Sequence, residues 1–126
     1  MPKTDDSRNL PALYLDALGR KDFDAFERLL APDVTFHGPQ ATLSGRASVA
    51  NAYRRLGPML ERTELKKVFV DGDELGVIYD FVTNTAAGAV PTLEWLTLEA
   101  GLVRTIWLLT DHVRWPRAMA ELMARA

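Results

Sequence analysis

Strand-like alternation across Leu93 to Leu98 places Glu94, Leu96 and Leu98 on one face, and Leu93, Trp95 and Thr97 on the other. A carboxyl group sharing a face with leucines is costly to ionise, so its pKa is expected to rise. In its neutral form it can donate a hydrogen bond to an oxyanion that develops in a transition state. The plainer reading is a strand-end glutamate that reaches solvent or pairs with an arginine. Tyr14 lies on the apolar stripe of a helix. It is either a second donor in such a site or a core tyrosine whose hydroxyl finds a neighbour. Tyr53 and Tyr79 fit the wall of the core or of a cavity, and the alternation turns Val77, Tyr79 and Phe81 toward the same side as Glu94.

Three further residues are candidates for moving a proton. Asp80 interrupts the apolar run Val77–Val82. It faces outward in this register, and a slip of one residue would bring it inside as a base. His37 and His112 are the only two histidines, and imidazole titrates close to neutrality. His37 follows Phe36, so alternation points it away from the cavity. His112 shares a face with Ile106, Leu108 and Thr110 at the end of a long strand. The two histidines have no metal-ligand spacing and the chain has no cysteine. Neither a metal site, a thiolate nor a disulfide framework is expected, and no cofactor is implied.

The elements that position these residues follow from periodicity. A first helix spans about Asn9 to Leu18, capped by Asn9, with Leu10, Leu13, Tyr14, Ala17 and Leu18 on one face and Pro11 in its first turn. Asp22 caps a second helix carrying Phe23, Phe26, Leu29 and Leu30, and Pro32 stops it. Val34, Phe36 and Gly38 read as a short strand, 39–45 as a loop, and 46–56 as a third helix. The period then changes. Strands are predicted over 65–70, 75–83, 91–98 and 102–113, with hairpin signals at Asp71-Gly72-Asp73 and Ala100-Gly101. Pro116 opens a short last helix carrying Met119, Leu122 and Met123. Helices first and strands after predict an α+β fold: a cone-shaped, curved antiparallel sheet packed against three N-terminal helices, with a short C-terminal helix. The mouth of such a cone is a natural ligand site.

Composition narrows the partners. The chain has 126 residues, 48% of them hydrophobic, and a net charge of −2, which suits one domain with a substantial core. The polar opening MPKTDDSRN is not a secretory signal and is expected to be flexible over residues 1–8, and no apolar run is long enough to cross a membrane. A cytoplasmic location is expected, without nucleic-acid or membrane partners. Arg54, Arg55, Arg62, Lys66 and Lys67 read as a solvated surface. Ile78, Val82, Leu93, Trp95, Trp107 and Leu109 would form an outer sheet face too apolar for water. It is expected either to pair two copies in a homodimer or to lie partly under the C-terminal helix.

The run Tyr14-Leu-Asp-Ala-Leu18, Lys21-Asp22-Phe23, Leu30-Ala-Pro-Asp33-Val34-Thr35-Phe36 and Ser44-Gly45-Arg46, with a helix ending Ala52-Tyr53, resembles the nuclear-transport-factor-2-like superfamily over nearly the whole chain. It is similar to SnoaL-like polyketide cyclases and ketosteroid isomerases. The latter combine a carboxylate base with an oxyanion hole made of a tyrosine and a protonated aspartic acid. The resemblance places Tyr14 at the oxyanion tyrosine, Tyr53 at a supporting tyrosine, Glu94 at the oxyanion acid and Gly38 at the base, which is therefore missing. The superfamily's epoxide hydrolases use an Asp-Arg-Asp arrangement. Their catalytic aspartate falls on or near Leu108, and no Arg-x-Asp pair precedes it. The resemblance implies a pocket for a small apolar ring or polyketide-like compound, with Phe36, Tyr53, Tyr79, Phe81, Leu96, Ile106 and Leu108 contacting it. The expected activity is an isomerase, cyclase or dehydratase that needs no cofactor. Tyr14 and Glu94 would polarise an oxygen, and His37, His112 or Asp80 would move the proton. The alternatives are a non-catalytic binding or dimerisation module, or an epoxide hydrolase-like enzyme.

Overall fold

A computed structural model describes residues 3–125 and their side chains from Asn9 onward. The helices are α1 (Lys3–Gly19), α2 (Phe23–Arg28), α3 (Arg46–Arg54) and α4 (Arg114–Ala124). The strands are β1 (Leu30–His37), β2 (Thr42–Ser44), β3 (Leu60–Asp71), β4 (Glu74–Thr83), β5 (Ala89–Glu99) and β6 (Leu102–Thr110). They form one six-stranded sheet in the order β2-β1-β6-β5-β4-β3. Neighbours are antiparallel except β1 and β6, which run parallel. The α+β architecture expected from the sequence is therefore present, as a curved, unclosed sheet against helices with one parallel junction. Register irregularities in β1, β3 and β5 supply bends, as bulges do.

Several boundaries differ from the sequence reading, for local reasons. α1 begins at Lys3, so Asn9 lies within it and Pro11 falls in its interior, where it cannot donate to the helix ladder. Of the stretch expected to be flexible, residues 1 and 2 lie outside the described residues. Pro32 does not end a helix next to a loop but sits inside β1. The pairing with β6 is irregular between Leu30 and Thr35, which is where a residue without an N–H fits. The loop 39–45 contains the short strand β2, paired with β1. α3 stops at Arg54, and Gly57–Met59 form a single 3-10 turn before β3. β6 ends at Thr110, so His112 belongs to the turn ahead of α4.

The core lies between the concave sheet face and α1–α3. Leu10, Tyr14, Leu15 and Leu18 from α1, Phe26 from α2, and Val49 and Tyr53 from α3 meet Leu75, Val77, Tyr79, Leu96 and Ile106 from the strands. Gly19 lets α1 close on β3: a Cβ there would sit 2.8 Å from Thr63 Oγ1, which donates to Leu15 O at 3.0 Å. The side chain of Asp22 caps α2 by accepting from Ala25 N at 3.1 Å.

Candidate functional site

The three tyrosines of the chain converge on Glu94. Tyr14 arrives from the buried stripe of α1, Tyr53 from the last turn of α3, Tyr79 from β4 and Glu94 from the neighbouring central strand β5. Tyr79 and Glu94 share the concave face because the register pairs Val77 with Glu94 and Tyr79 with Thr92. Tyr14 donates to Glu94 Oε1 at 2.6 Å and Tyr53 donates to the same oxygen at 3.1 Å. Tyr79 donates to Oε2 at 2.5 Å. The Tyr14 and Tyr53 hydroxyls are 3.4 Å apart. Phe26 packs against both rings, at centroid distances of 4.9 and 4.6 Å. All four polar residues are at most 2% exposed.

Two opposed effects set the charge of Glu94. Burial disfavours its ionised form, while three phenol donors favour it. Burial is the larger, so the pKa lies above the usual carboxylate value. The same burial, reinforced by the adjacent carboxyl, holds all three phenols well above the ordinary tyrosine value. The arrangement differs from the one anticipated. Tyr14 and Glu94 do not point side by side at a ligand; Glu94 accepts the tyrosine's hydrogen bond, and both its oxygens are occupied.

Beside this cluster is a cleft of about 330 Å³, formed by α3, β6, the β1–β2 turn and α4. Its walls are mainly apolar: Phe36, Leu43, Ala52, Leu56, Leu108, Trp115 and Met119. Gln40 and Arg55 are the polar lining residues apart from Tyr53, and Tyr53 alone belongs both to the cleft wall and to the Glu94 cluster. The Phe36 ring stands edge-on to that of Tyr53, with centroids 5.8 Å apart. A smaller recess of about 240 Å³, lined by Asp24, Glu27, Arg28 and Arg46, lies away from the cluster.

The structure thus sorts the expected site residues. Phe36, Tyr53 and Leu108 line the cleft. Tyr14, Tyr79, Leu96 and Ile106 are fully buried in the core, and Phe81 packs edge-on against Trp115 at 5.4 Å. None of the three expected proton movers reaches the cluster. His37 pairs with Trp107 across the β1–β6 junction and stacks on it at 4.1 Å on the convex face. Asp80 lies on that face too, 3.4 Å from Lys66 Nζ, because Tyr79 and Phe81 take the inward positions. His112 is exposed in the turn before α4. A side chain at Gly38 would have to displace the end of the Phe36 ring, since a Cβ there would lie 2.5 Å from it. Sequence reasoning did not assign Gln40, Leu43, Leu56, Arg55, Trp115 or Met119 to the site. Trp115 and Met119 carry the helical spacing of a packing face, and nothing in that spacing says that the face closes a cleft.

No group of three or more His, Cys, Asp or Glu residues able to hold a metal ion occurs among the described residues. No helix among them is long and apolar enough to cross a membrane.

A curved, unclosed sheet packed against helices, with a C-terminal helix, is the nuclear-transport-factor-2-like architecture. Within it the chain belongs to the SnoaL-like domain family, which matches residues 12–106. No curated protein sequence matches the chain. Solved structures do. A de novo designed protein with a curved β-sheet aligns at a TM-score of 0.80 and 20% identity, over 97% of this chain and 98% of its own. A proposed ketosteroid isomerase from Kribbella flavida DSM 17836 aligns at 0.74 and 20% identity, over 86% and 80%. A proposed polyketide cyclase from Sinorhizobium meliloti aligns at 0.72 and 21%, over 82% and 98%. At these identities the likeness is one of fold, and fold alone does not fix activity.

Proposed function

We propose that this protein is a small-molecule pocket enzyme that polarises the carbonyl of an apolar ring or polyketide-like compound, an isomerase or cyclase acting without a cofactor. In it Tyr53 donates a hydrogen bond to the enolate oxygen and solvent water takes the proton from carbon. The observation that carries this reading is the double placement of Tyr53. Tyr53 is a lining residue of the cleft, and the 3.1 Å bond its hydroxyl donates to Glu94 is the longest of the three. A ligand oxygen can take that hydrogen bond while Tyr14 and Tyr79 continue to satisfy Glu94, at 2.6 and 2.5 Å. Tyr53 serves as a donor and not as a base. Its pKa is pushed well above that of an ordinary phenol, so losing its proton to Glu94 is strongly uphill. The donor is prepositioned on a residue only 2% exposed, and a prepositioned donor stabilises a developing enolate most effectively.

A second reading has its own support. Among the described residues the cleft lining contains no carboxylate and no imidazole, which suits binding without turnover. Deuterium exchange into 2-tetralone separates the two. The enzyme reading expects exchange at the α-carbon faster than in buffer, and a loss of that acceleration of about 10²-fold in Tyr53→Phe, the usual effect of removing one such donor. Ligand-induced NMR shifts without accelerated exchange would establish the binding reading instead. Neither shifts nor exchange would refute both.

We further propose that a second copy covers the convex sheet face and that the protein is cytoplasmic. Trp95 and Trp107 are cross-strand partners with rings 6.3 Å apart, and His37 extends the stack. They are 45% and 43% exposed, and Leu109 beside them is 59% exposed. Ile78 and Leu93 are half-buried on the same face, whereas Val82 is already buried within the chain. α4 packs on the cleft side, where Trp115 meets Phe81, and so leaves this patch to another partner.

A further inference from the structure

The cleft has a polarity that its apolar walls do not suggest, and the geometry points to a ligand with an apolar ring body and an anionic end group. The inference rests on the pocket reading above and names the substrate class it takes: a ring carboxylate whose anion sits against Arg55 at the mouth. Arg55 is the residue that follows α3, two positions beyond Tyr53, and it is exposed at the rim. Among the described residues it is the one charged residue of the lining. The adjacent Arg54 is occupied by Asp24 at 2.7 Å and Glu27 at 2.9 Å. Arg55 has no ion-pair partner among the described residues, and no Asp or Glu lines the cleft with it.

The opposite end is built differently. Behind Tyr53 lies Glu94, which offers only acceptor oxygens, all already engaged by phenols. An anionic group pushed to that end would approach a buried carboxyl with no cation nearby, which is unfavourable in a region of low dielectric. A neutral carbonyl is accepted there, because Tyr53 can turn its donor toward it. A guanidinium, in contrast, presents paired N–H groups matched to a carboxylate. The cleft therefore orients its ligand: neutral oxygen inward on Tyr53, apolar ring between Phe36, Leu108 and Trp115, anion outward on Arg55. Its volume of about 330 Å³ suits a fused two-ring body, given that a cavity of about 150 Å³ accepts benzene.

Binding of three isosteric probes by titration calorimetry tests this: 2-naphthoate, neutral 2-naphthamide and cationic 2-naphthylmethylammonium. Wild type is expected to bind the naphthoate about three- to tenfold more tightly than the amide, the range for one solvent-exposed, charge-assisted contact, and the cation most weakly. Arg55→Met keeps much of the apolar stem. It is expected to bring naphthoate down to the level of the amide while leaving amide binding within about twofold, and Arg55→Lys to restore part of the preference. Higher salt should narrow the gap in wild type only. Equal binding of naphthoate and amide to wild type, or an unchanged preference in Arg55→Met, overturns the charge assignment and leaves the apolar cleft standing. If none of the probes binds, the pocket reading falls together with it.

Discussion

Replacing Glu94 tests the central cluster most directly, and two substitutions separate charge from satisfaction of the phenols. Glu94→Leu leaves the hydroxyls of Tyr14, Tyr53 and Tyr79 facing an apolar group, since each now donates to Glu94. A buried hydroxyl left without a partner costs about 1–3 kcal/mol. The Tyr14 and Tyr53 hydroxyls, 3.4 Å apart, can still pair with each other, so two protons are stranded. Taking about 2 kcal/mol for each of the two, and returning about 2 kcal/mol for the leucine newly buried, gives a net loss of about 2 kcal/mol, a substantial share of the roughly 5–15 kcal/mol that holds a domain together. Glu94→Gln strands less. Its carbonyl accepts from Tyr14 and Tyr53 and its amide donates to Tyr79, whose hydroxyl turns to accept; the second amide N–H, which a neutral carboxyl does not carry, is left without a partner and costs about 1–3 kcal/mol. The pH dependence has a definite sign. The folded-state pKa of Glu94 is raised by burial, so its contribution to stability is fully present below the unfolded value of about 4.3 and is lost as pH rises through the folded value. Glutamine does not titrate. The deficit of Glu94→Gln against wild type is therefore largest in acid and shrinks toward neutrality. Urea unfolding followed by tryptophan fluorescence, from about pH 4 to about pH 8, reads both quantities. A Glu94→Leu variant as stable as wild type would refute the dependence of the phenols on the carboxyl. A Glu94→Gln deficit that grows with pH would show that the phenols outweigh burial.

Two other outcomes follow from different parts of the fold. Ala100 occupies the first position of the β5–β6 turn at φ 54°, where an L side chain is strained, and Gly101 follows at φ 80°. Ala100→Gly is expected to stabilise by about 1 kcal/mol and raise the melting temperature by a few degrees, and unchanged melting would refute strain at this turn. Trp107→Glu puts a charge in the middle of the convex face at a position already 43% exposed, so it is expected to leave folding intact and convert a dimer to a monomer in sedimentation velocity. A wild-type monomer at all concentrations would refute the second copy.

The register was the most legible part of the molecule. Val77, Tyr79 and Phe81 alternate with Gly76, Ile78 and Asp80 over enough residues that a slip would expose the whole apolar set. The meeting of Tyr14 with Glu94 was readable only through the resemblance. They are 80 residues apart, and periodicity fixes the face a side chain takes but not which distant side chain it meets. That all three tyrosines would hold one carboxyl was not legible, because Tyr53 and Tyr79 each satisfy a core position without it. Pro32 misled for a physical reason. It is a poor strand residue in a regular ladder, and the ladder here is irregular at that point. The boundary at Thr110 was lost because Asp111, His112 and Val113 continue an extended-looking pattern. Asp111 Oδ1 instead accepts from Val113 N at 2.9 Å and Arg114 N at 2.7 Å, starting the turn into α4.

A carboxyl buried with three phenols is an inefficient way to stabilise a core. Replacing all four side chains with apolar groups of similar shape removes the desolvation cost of Glu94 and leaves nothing unsatisfied, so stability alone does not favour the polar set. What the set provides, and an apolar one does not, is a hydrogen-bonded tyrosine that is also part of the cleft wall. Tyr53 is clamped between Phe26 and Phe36, with ring centroids 4.6 and 5.8 Å away. Its proton is aimed by an oxygen it can release, because Tyr14 and Tyr79 hold that carboxyl in place. On the proposed reading Tyr14 and Tyr79 are positioning residues, since neither is among the described residues that line the cleft. Such a donor needs little reorganisation when a negative charge develops in front of it, which is the condition under which one hydrogen bond is worth most to a reaction. The polar core is better explained by the cleft it borders than by the fold it sits in.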